Sequence, residues 1–399
     1  MPFEQVIGQQ TVIHQLVEMV EHNRLSHALL FSGREGTGAL ALAVSFGQFI
    51  VCQPAPAPEV PDLFGGVSAI SSGPSYLSPE EVTATEVWQR ASQYIHPDLH
   101  FSFPTVPPKS GEKAKSSTYM KEWRLFLQED MYRNVFDWLE EIKAENKQGK
   151  ITGEECEDLL HRMSLKSYES AYKVVVMWAP ELLGKEGNKL LKLIEEPPPQ
   201  TIFLLVTEDE QHVLPTILSR CQLIQVPPID HASIAKALLE HEDISEDQAN
   251  RIAALASGNY REAKQLLKHS EDDWQGLLKD WLNATLKGGP VAQIDLIELV
   301  FAKLGREKQK QFLKYFMHLV EQALRLRLLG EHKVVMTESE LVFAGRLNKI
   351  TGPSQQQALM QELNDAIYYV ERNGNGKIIF QALTIKIYHI IQHRQQIAV

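Results

Sequence analysis

The sequence predicts an α/β domain on a parallel sheet, followed by two helical segments. Three observations carry this. Short, continuous apolar runs recur with helical patterns between them: HALLFSG (27–33), YKVVVMW (172–178), TIFLLVT (201–207) and, more weakly, QLIQV (222–226). Runs apolar throughout rather than alternating read as strands buried on both faces, the mark of a parallel sheet. A Gly-rich segment joins the first run to a helical stretch. After Pro228 the strand signal fades and helical periodicity takes over.

At the N-terminus, Val12, Ile13, Leu16, Val17 and Val20 recur at helical spacing, which predicts an amphipathic helix over 9–22. The first strand and the Gly-rich turn lead into a second helix, ALAVSFGQFIV. Residues 53–80 and 104–118 are rich in Pro, Ser or Gly and interrupt the pattern as loops. The segment 119–147 carries Trp123, Phe126, Phe136 and Trp138 among many charges, which suggests inserted helices. GNKLLKLIEEPPP (187–199) reads as a helix stopped by its three prolines. Residues 231–268 hold two or three short helical patterns broken at Gly258-Asn259. From about 271 onward Phe312, Phe316, Leu319 and Val320 share one face, with Leu324, Leu328 and Leu329 beyond them. Asn373-Gly374-Asn375-Gly376 reads as a tight turn opening a final helix over Ile378–Ile391. The expected organisation is an α/β domain over 1–228 with insertions at about 53–80 and 101–147, a small helical domain over 229–270, and a helical domain over 271–399.

Composition narrows the function. The 399 residues are 44% hydrophobic and 23% charged, ordinary for a globular chain. Net charge is −11, from 51 acidic and 40 basic residues, which disfavours a protein that coats nucleic acid by itself. No apolar run has the length of a membrane span, and MPFEQVIGQQ lacks the pattern of a signal peptide. The expected location is the cytoplasm. Cys52, Cys156 and Cys221 are too few and too scattered for a four-cysteine zinc site, so no metal is expected.

Residues 33–40, Gly-Arg-Glu-Gly-Thr-Gly-Ala-Leu, stand where a P-loop would, after a strand and before a helix. Gly33, Gly36 and Gly38 keep the glycines that let backbone N–H groups surround phosphate at a helix N-terminus. Ala39 replaces the lysine, and Leu40 the magnesium-binding Ser/Thr. The second main strand, where an ATPase places acids that hold Mg²⁺, ends Trp178-Ala179-Pro180, with Glu181 the first acid nearby. Both halves of the hydrolytic chemistry are missing, so no nucleotide cofactor is expected. An ordinary Gly-rich strand-to-helix turn remains an alternative reading of the octapeptide alone.

IGQQ (7–10), RLSHALLFSGREGTG (24–38), HPDLH (96–100), NKLLKLIEEPPPQTIFLLVT (188–207) and ILSRCQ (217–222) together resemble the AAA+ clamp-loader subunits of bacterial DNA polymerase III. The similarity spans most of 1–228, with the motifs in family order. Gly258-Asn259-Tyr260-Arg261-Glu262-Ala263 resembles the family's sensor-2 region; YYVERNGNGKIIFQAL (368–383) fits the C-terminal collar more loosely. The resemblance implies a AAA+ domain, a helical lid and a helical collar. The degenerate loop beside an intact Ser219-Arg220-Cys221 resembles the ring's non-hydrolysing member. The resemblance further implies a subunit of the polymerase holoenzyme. Its partners would be the ATPase subunits and the delta subunit, with the sliding clamp and primed DNA met through the complex. Arg220 would reach a neighbour's ATP as a trans arginine finger, the kind of group worth about 10³–10⁵ in rate. The chain departs from the family in lacking a four-cysteine zinc module and in carrying the segment around 101–147. The competing reading is an active AAA+ ATPase, a loader or helicase motor, with an atypical loop.

Other residues invite plainer readings. Arg261 would touch nucleotide in active relatives; here an exposed position is the expectation. Glu195-Glu196-Pro197 reads as acids at a helix end. His27 is expected in the core at the start of a strand, and His27, His96 and His100 lack metal spacing. Residues 372–399, with Arg372, Lys377, Lys386, Arg394 and no acid, suggest a solvated helix face.

Overall fold

In the computed structural model the residues described are 1–54, 59–61, 67–69, 76–108, 114–144, 147–268, 274–330, 338–371 and 374–393. The chain divides into two compact units, Met1–Ile244 with Ala256–Ala263, and Ser245–Leu255 with Lys264–Val399.

The first unit is built on a five-stranded parallel sheet. Its strands are β1 (Ala28–Ser32), β4 (Leu99–Ser102), β5 (Lys173–Trp178), β6 (Thr201–Thr207) and β7 (Gln222–Gln225), in the order β4-β5-β6-β1-β7. The short strands β2 (Glu59–Pro61) and β3 (Val67–Ala69) pair antiparallel in a separate ribbon. Every residue of β1, β5 and β6 is buried, because helices cover both faces of the sheet. On one face Ala28, Leu30, Val175, Met177, Phe203 and Leu205 pack with Leu159, Met163 and Ile194. On the other lies the helix Ala39–Val51, in which all thirteen residues are buried. Its Gly47 lets the backbone approach the sheet: a Cβ there would lie 3.2 Å from Leu99 and 3.3 Å from Val174 and Val176.

The predicted first helix spans Gln10–Glu21, and the four predicted strands stand in place. Two expectations are corrected. The stretch 187–199 is not one helix. A 3₁₀ segment runs over Pro180–Leu190, kinked at Gly184, and gives way to a single α-turn, Leu191–Glu195, before the prolines. His27 is exposed rather than in the core, and its carbonyl accepts from Phe203 N at 2.8 Å. The segment 119–147 contains helices Met120–Glu129 and Val135–Glu141. Trp123, Phe126 and Trp138 are fully buried, whereas Phe136 is exposed.

Among the described residues the second unit holds helices and no strand. Its core gathers Trp281, Phe301, Phe312, Phe316, Leu319, Val320 and Phe380. Phe301 and Phe380 stack with centroids 4.2 Å apart, and Trp281 Nε1 donates to Thr384 Oγ1 at 2.9 Å. Leu328 is exposed. The final helix is Gly376–His393; its Asn375 cap accepts from Ile378 N at 3.4 Å, while Asn373 lies outside the described residues. Among the described residues no helix is long and apolar enough to cross a membrane.

Candidate functional site: a covered glycine-rich loop

The C-terminal ends of parallel strands, near a switch in strand order, are where α/β sheets bind ligands. The Gly-rich loop leaves β1 at that edge and opens the helix Ala39–Val51. Gly36 and Gly38 adopt φ of 70° and 87°, the left-handed region that glycine enters without a Cβ clash. Thr37 closes the loop on itself, its N and Oγ1 both donating to Arg34 O at 3.2 and 2.7 Å.

Side chains of the same unit lie on this loop. Tyr132 sits against Gly38, so close that a Cβ there would be 2.8 Å from its ring. The Tyr132 hydroxyl accepts from Ile7 N at 2.6 Å, and its ring meets Tyr260 edge-on at 5.0 Å. Burial pushes the Tyr132 phenol above its ordinary pKa, so it stays neutral. Asn259 covers Gly36: a Cβ there would be 1.7 Å from Asn259 Oδ1. Tyr260 N donates to Gly36 O at 2.9 Å.

Arg261 corrects the expectation of an exposed side chain, for it is only 3% exposed. Its Nε and Nη2 donate to the two carboxylate oxygens of Asp137 at 2.5 and 2.6 Å, and its Nη1 donates to Glu35 Oε1 at 2.7 Å. Asp137 comes from the segment 119–147 and Glu35 from the Gly-rich loop itself. Two-pronged pairing of this kind fixes orientation as well as charge. Sequence reasoning passed over both acids. The local signal for Asp137 is its capping box with Asn134, which marks a helix start and nothing more.

The positions that would carry the hydrolytic side chains are apolar and enclosed. Ala39 is 7% and Leu40 4% exposed. Trp178, at the end of β5, packs against Trp123 and Phe126 with centroids 5.3 and 5.8 Å apart. Glu181, the first acid beyond it, accepts from Thr207 Oγ1 at 2.8 Å, and burial holds its carboxyl above the usual carboxylate range.

Arg220 lies elsewhere, between the short helix Pro215–Leu218 and the edge strand β7. Its side chain is 31% exposed. Nη1 donates to Thr216 O at 2.9 Å and Ser219 Oγ at 3.2 Å, and Nε donates to Glu195 Oε2 at 3.2 Å. Glu195 is therefore more than an acid at a helix end. Cys221 is half-buried, with its thiol raised to about 11 by burial, and Cys52 and Cys156 are buried. Among the described residues no group of three His, Cys, Asp or Glu side chains is placed to hold a metal. In the C-terminal basic stretch Lys377 pairs with Glu298 at 2.5 Å and Lys386 with Glu362 at 2.7 Å. Arg372 and Arg394 lie outside the described residues.

The sheet order, the Gly-rich loop after β1 and the Asn259–Arg261 segment closing on it define an α/β domain of the P-loop type whose loop is covered by its own chain. The family model described as DNA polymerase III, delta subunit, matches residues 8–62 and 82–230, and the chain belongs to that family. It is 27% identical over 263 residues to DNA polymerase III subunit delta' of Bacillus subtilis, covering 66% of this chain and 60% of that protein. It is 24% identical over 383 residues to subunit delta' of Escherichia coli, covering 95% of this chain and 93% of that one. Subunit tau of Bacillus subtilis matches at 24% identity over 298 residues, 73% of this chain and 41% of the relative. The chain thus spans less than two thirds of the length of both Bacillus relatives.

Proposed function

We propose that the chain is a delta-prime-type, non-hydrolysing subunit of a DNA polymerase III clamp loader. In this reading it stands in a ring with the ATPase subunits and a delta subunit in the cytoplasm, and helps place the sliding clamp on primed DNA. Its parts are a AAA+ domain over 1–228, a lid over 229–270 and a collar over 271–399, with neither nucleotide nor metal of its own. The observation that carries the reading is the phosphate loop. Hydrocarbon stands at Ala39 and Leu40, where charge and magnesium coordination are needed.

Arg220 supplies the trans finger. Its support is position and freedom: it is partly exposed beside the sheet's edge strand, and an exposed pair such as Arg220–Glu195 is worth only about 0–1 kcal/mol. Swinging from Glu195 to a neighbour's phosphate gives up that weak pair and the hydrogen bonds to Thr216 O and Ser219 Oγ, each worth about 0.5–1.5 kcal/mol net. Nucleotide filter binding by the isolated chain tests the first half of the proposal, and Mg²⁺-dependent turnover surviving stringent purification overturns it. ATPase assays of reconstituted complexes test the second.

A further inference from the structure

We propose that Asp137 is a built-in phosphate surrogate. The segment 119–141 plugs the degenerate loop and presents a carboxylate to Arg261 where a nucleotide phosphate would otherwise sit.

Chemistry and place both support this. A guanidinium fork accepts a carboxylate or a phosphate with the same two parallel N–H···O bonds. Glycines in the left-handed region at a helix N-terminus make a cradle for anions. In this chain the fork stands over that cradle, and both anions it holds are carboxylates of the chain itself, Asp137 and Glu35. Among the described contacts one guanidinium meets two carboxylates, which leaves the fork no surplus positive charge for an incoming phosphate. In the closed form that the Asp137–Arg261 pair holds, Tyr132 on Gly38 and Asn259 on Gly36 also cover the cradle; loss of that pair lets the cover open.

The plug is rigidly founded. Trp123 is stacked between Phe103 and Phe126, with centroids 4.1 and 5.5 Å away, and Trp138 Nε1 donates to Pro104 O at 2.7 Å. Asn134 N donates to Asp137 Oδ2 at 3.0 Å, which aims the carboxylate. The consequence is that Tyr260–Ala263 stays closed on the loop with no nucleotide present. This inference concerns the chain's own loop and stands whether or not Arg220 acts in trans.

The test is hydrogen–deuterium exchange on the full chain, comparing wild type with Asp137→Asn, Glu35→Gln and Asn134→Ala. Asp137→Asn keeps an oxygen for the helix cap but removes the charge. Exchange at residues 34–38 and 259–263 should rise about tenfold or more in it. Asn134→Ala, which loses the cap but keeps the carboxylate, should leave those amides near wild type. Inorganic pyrophosphate at millimolar concentration should restore protection in Asp137→Asn and leave wild type unchanged. Glu35→Gln should show a smaller rise, with partial rescue. Unchanged exchange in Asp137→Asn, an equal rise in Asn134→Ala, or no rescue by pyrophosphate would each overturn the proposal. Saturable binding of ADP or pyrophosphate by the wild-type chain would do the same.

Discussion

Thr207 Oγ1 donates to Glu181 Oε2 at 2.8 Å, tying the C-terminal end of β6 to the turn after β5. Asp209 N donates in turn to Thr207 Oγ1 at 3.1 Å. The first acid beyond β5 is thus turned toward the end of the neighbouring strand. Burial raises its carboxyl, with the hydrogen bonds from Thr207 and the backbone only partly opposing.

Linkage sets the sign of the resulting pH dependence. A carboxyl raised in the folded state releases its proton later than the unfolded chain does. Stability therefore falls as pH rises from the ordinary carboxylate range through the raised value. Glu181→Gln keeps an acceptor for Thr207 and removes the ionisation. We expect its melting temperature to exceed wild type near neutral pH, with the gap closing as pH falls toward the carboxylate range. Thermal melts across that range check this; a gap independent of pH would show that ionisation is not the cause.

The aromatic cluster separates packing from hydrogen bonding. Trp123 and Trp138 are both fully buried, with rings 5.2 Å apart. Trp138 Nε1 donates to Pro104 O, whereas Trp123 Nε1 has no hydrogen-bond partner among the described residues. Substitution to Phe removes similar volume at each site, but at 138 it also strands a carbonyl. Trp138→Phe should therefore cost about 1–3 kcal/mol more than Trp123→Phe. Trp123→Ala, which empties the centre of the cluster, should cost about 3–5 kcal/mol. Chemical denaturation of the three variants measures both differences.

Restoring the loop's consensus should not restore its chemistry. The helix Ala39–Val51 is buried from end to end, and its first two residues keep under a tenth of their surface in solvent. Ala39→Lys with Leu40→Thr places an ammonium in an apolar setting, at the helix end whose dipole already disfavours a cation. We expect a less stable chain, by roughly 2 kcal/mol or more, with no ATP turnover. Denaturant melts and a sensitive phosphate-release assay test the two halves separately.

How much of the fold and site was legible in the sequence depended on range. β1, β5 and β6 announce themselves because strands buried on both faces must be apolar throughout. β4 did not, since Leu99–Ser102 is four residues long, carries His100 and lies at the sheet's edge. Gly33, Gly36 and Gly38 marked the loop, and Ala39 and Leu40 its departure from the hydrolytic pattern. The ion pairs that fill it left no trace: Glu35 and Asp137 lie 226 and 124 positions from Arg261. No periodicity or spacing rule reaches that far. A lone arginine after Gly-Asn reads as exposed until the fold brings two carboxylates to it.

Arg220 offers the sharpest test of action in trans. If it serves a neighbour's ATP, Arg220→Ala should fold as wild type does, since its contacts to Thr216, Ser219 and Glu195 are made at a partly exposed edge. It should also still enter the complex, because association energy comes mainly from buried anchors rather than one rim charge. What should fall is ATP turnover by the assembled loader on primed DNA with clamp. The loss should be partial, because only the adjacent ATP site loses its finger. Arg220→Lys should be nearly as impaired, since it keeps the charge but not the planar fork. Glu195→Gln gives the complementary reading: it frees the guanidinium from its resting partner and should leave turnover at or above wild type. Steady-state ATPase of reconstituted complexes, with assembly checked by gel filtration, decides the matter. Full turnover in an assembled Arg220→Ala complex would rule out the finger, and loss of assembly would make Arg220 an interface residue instead.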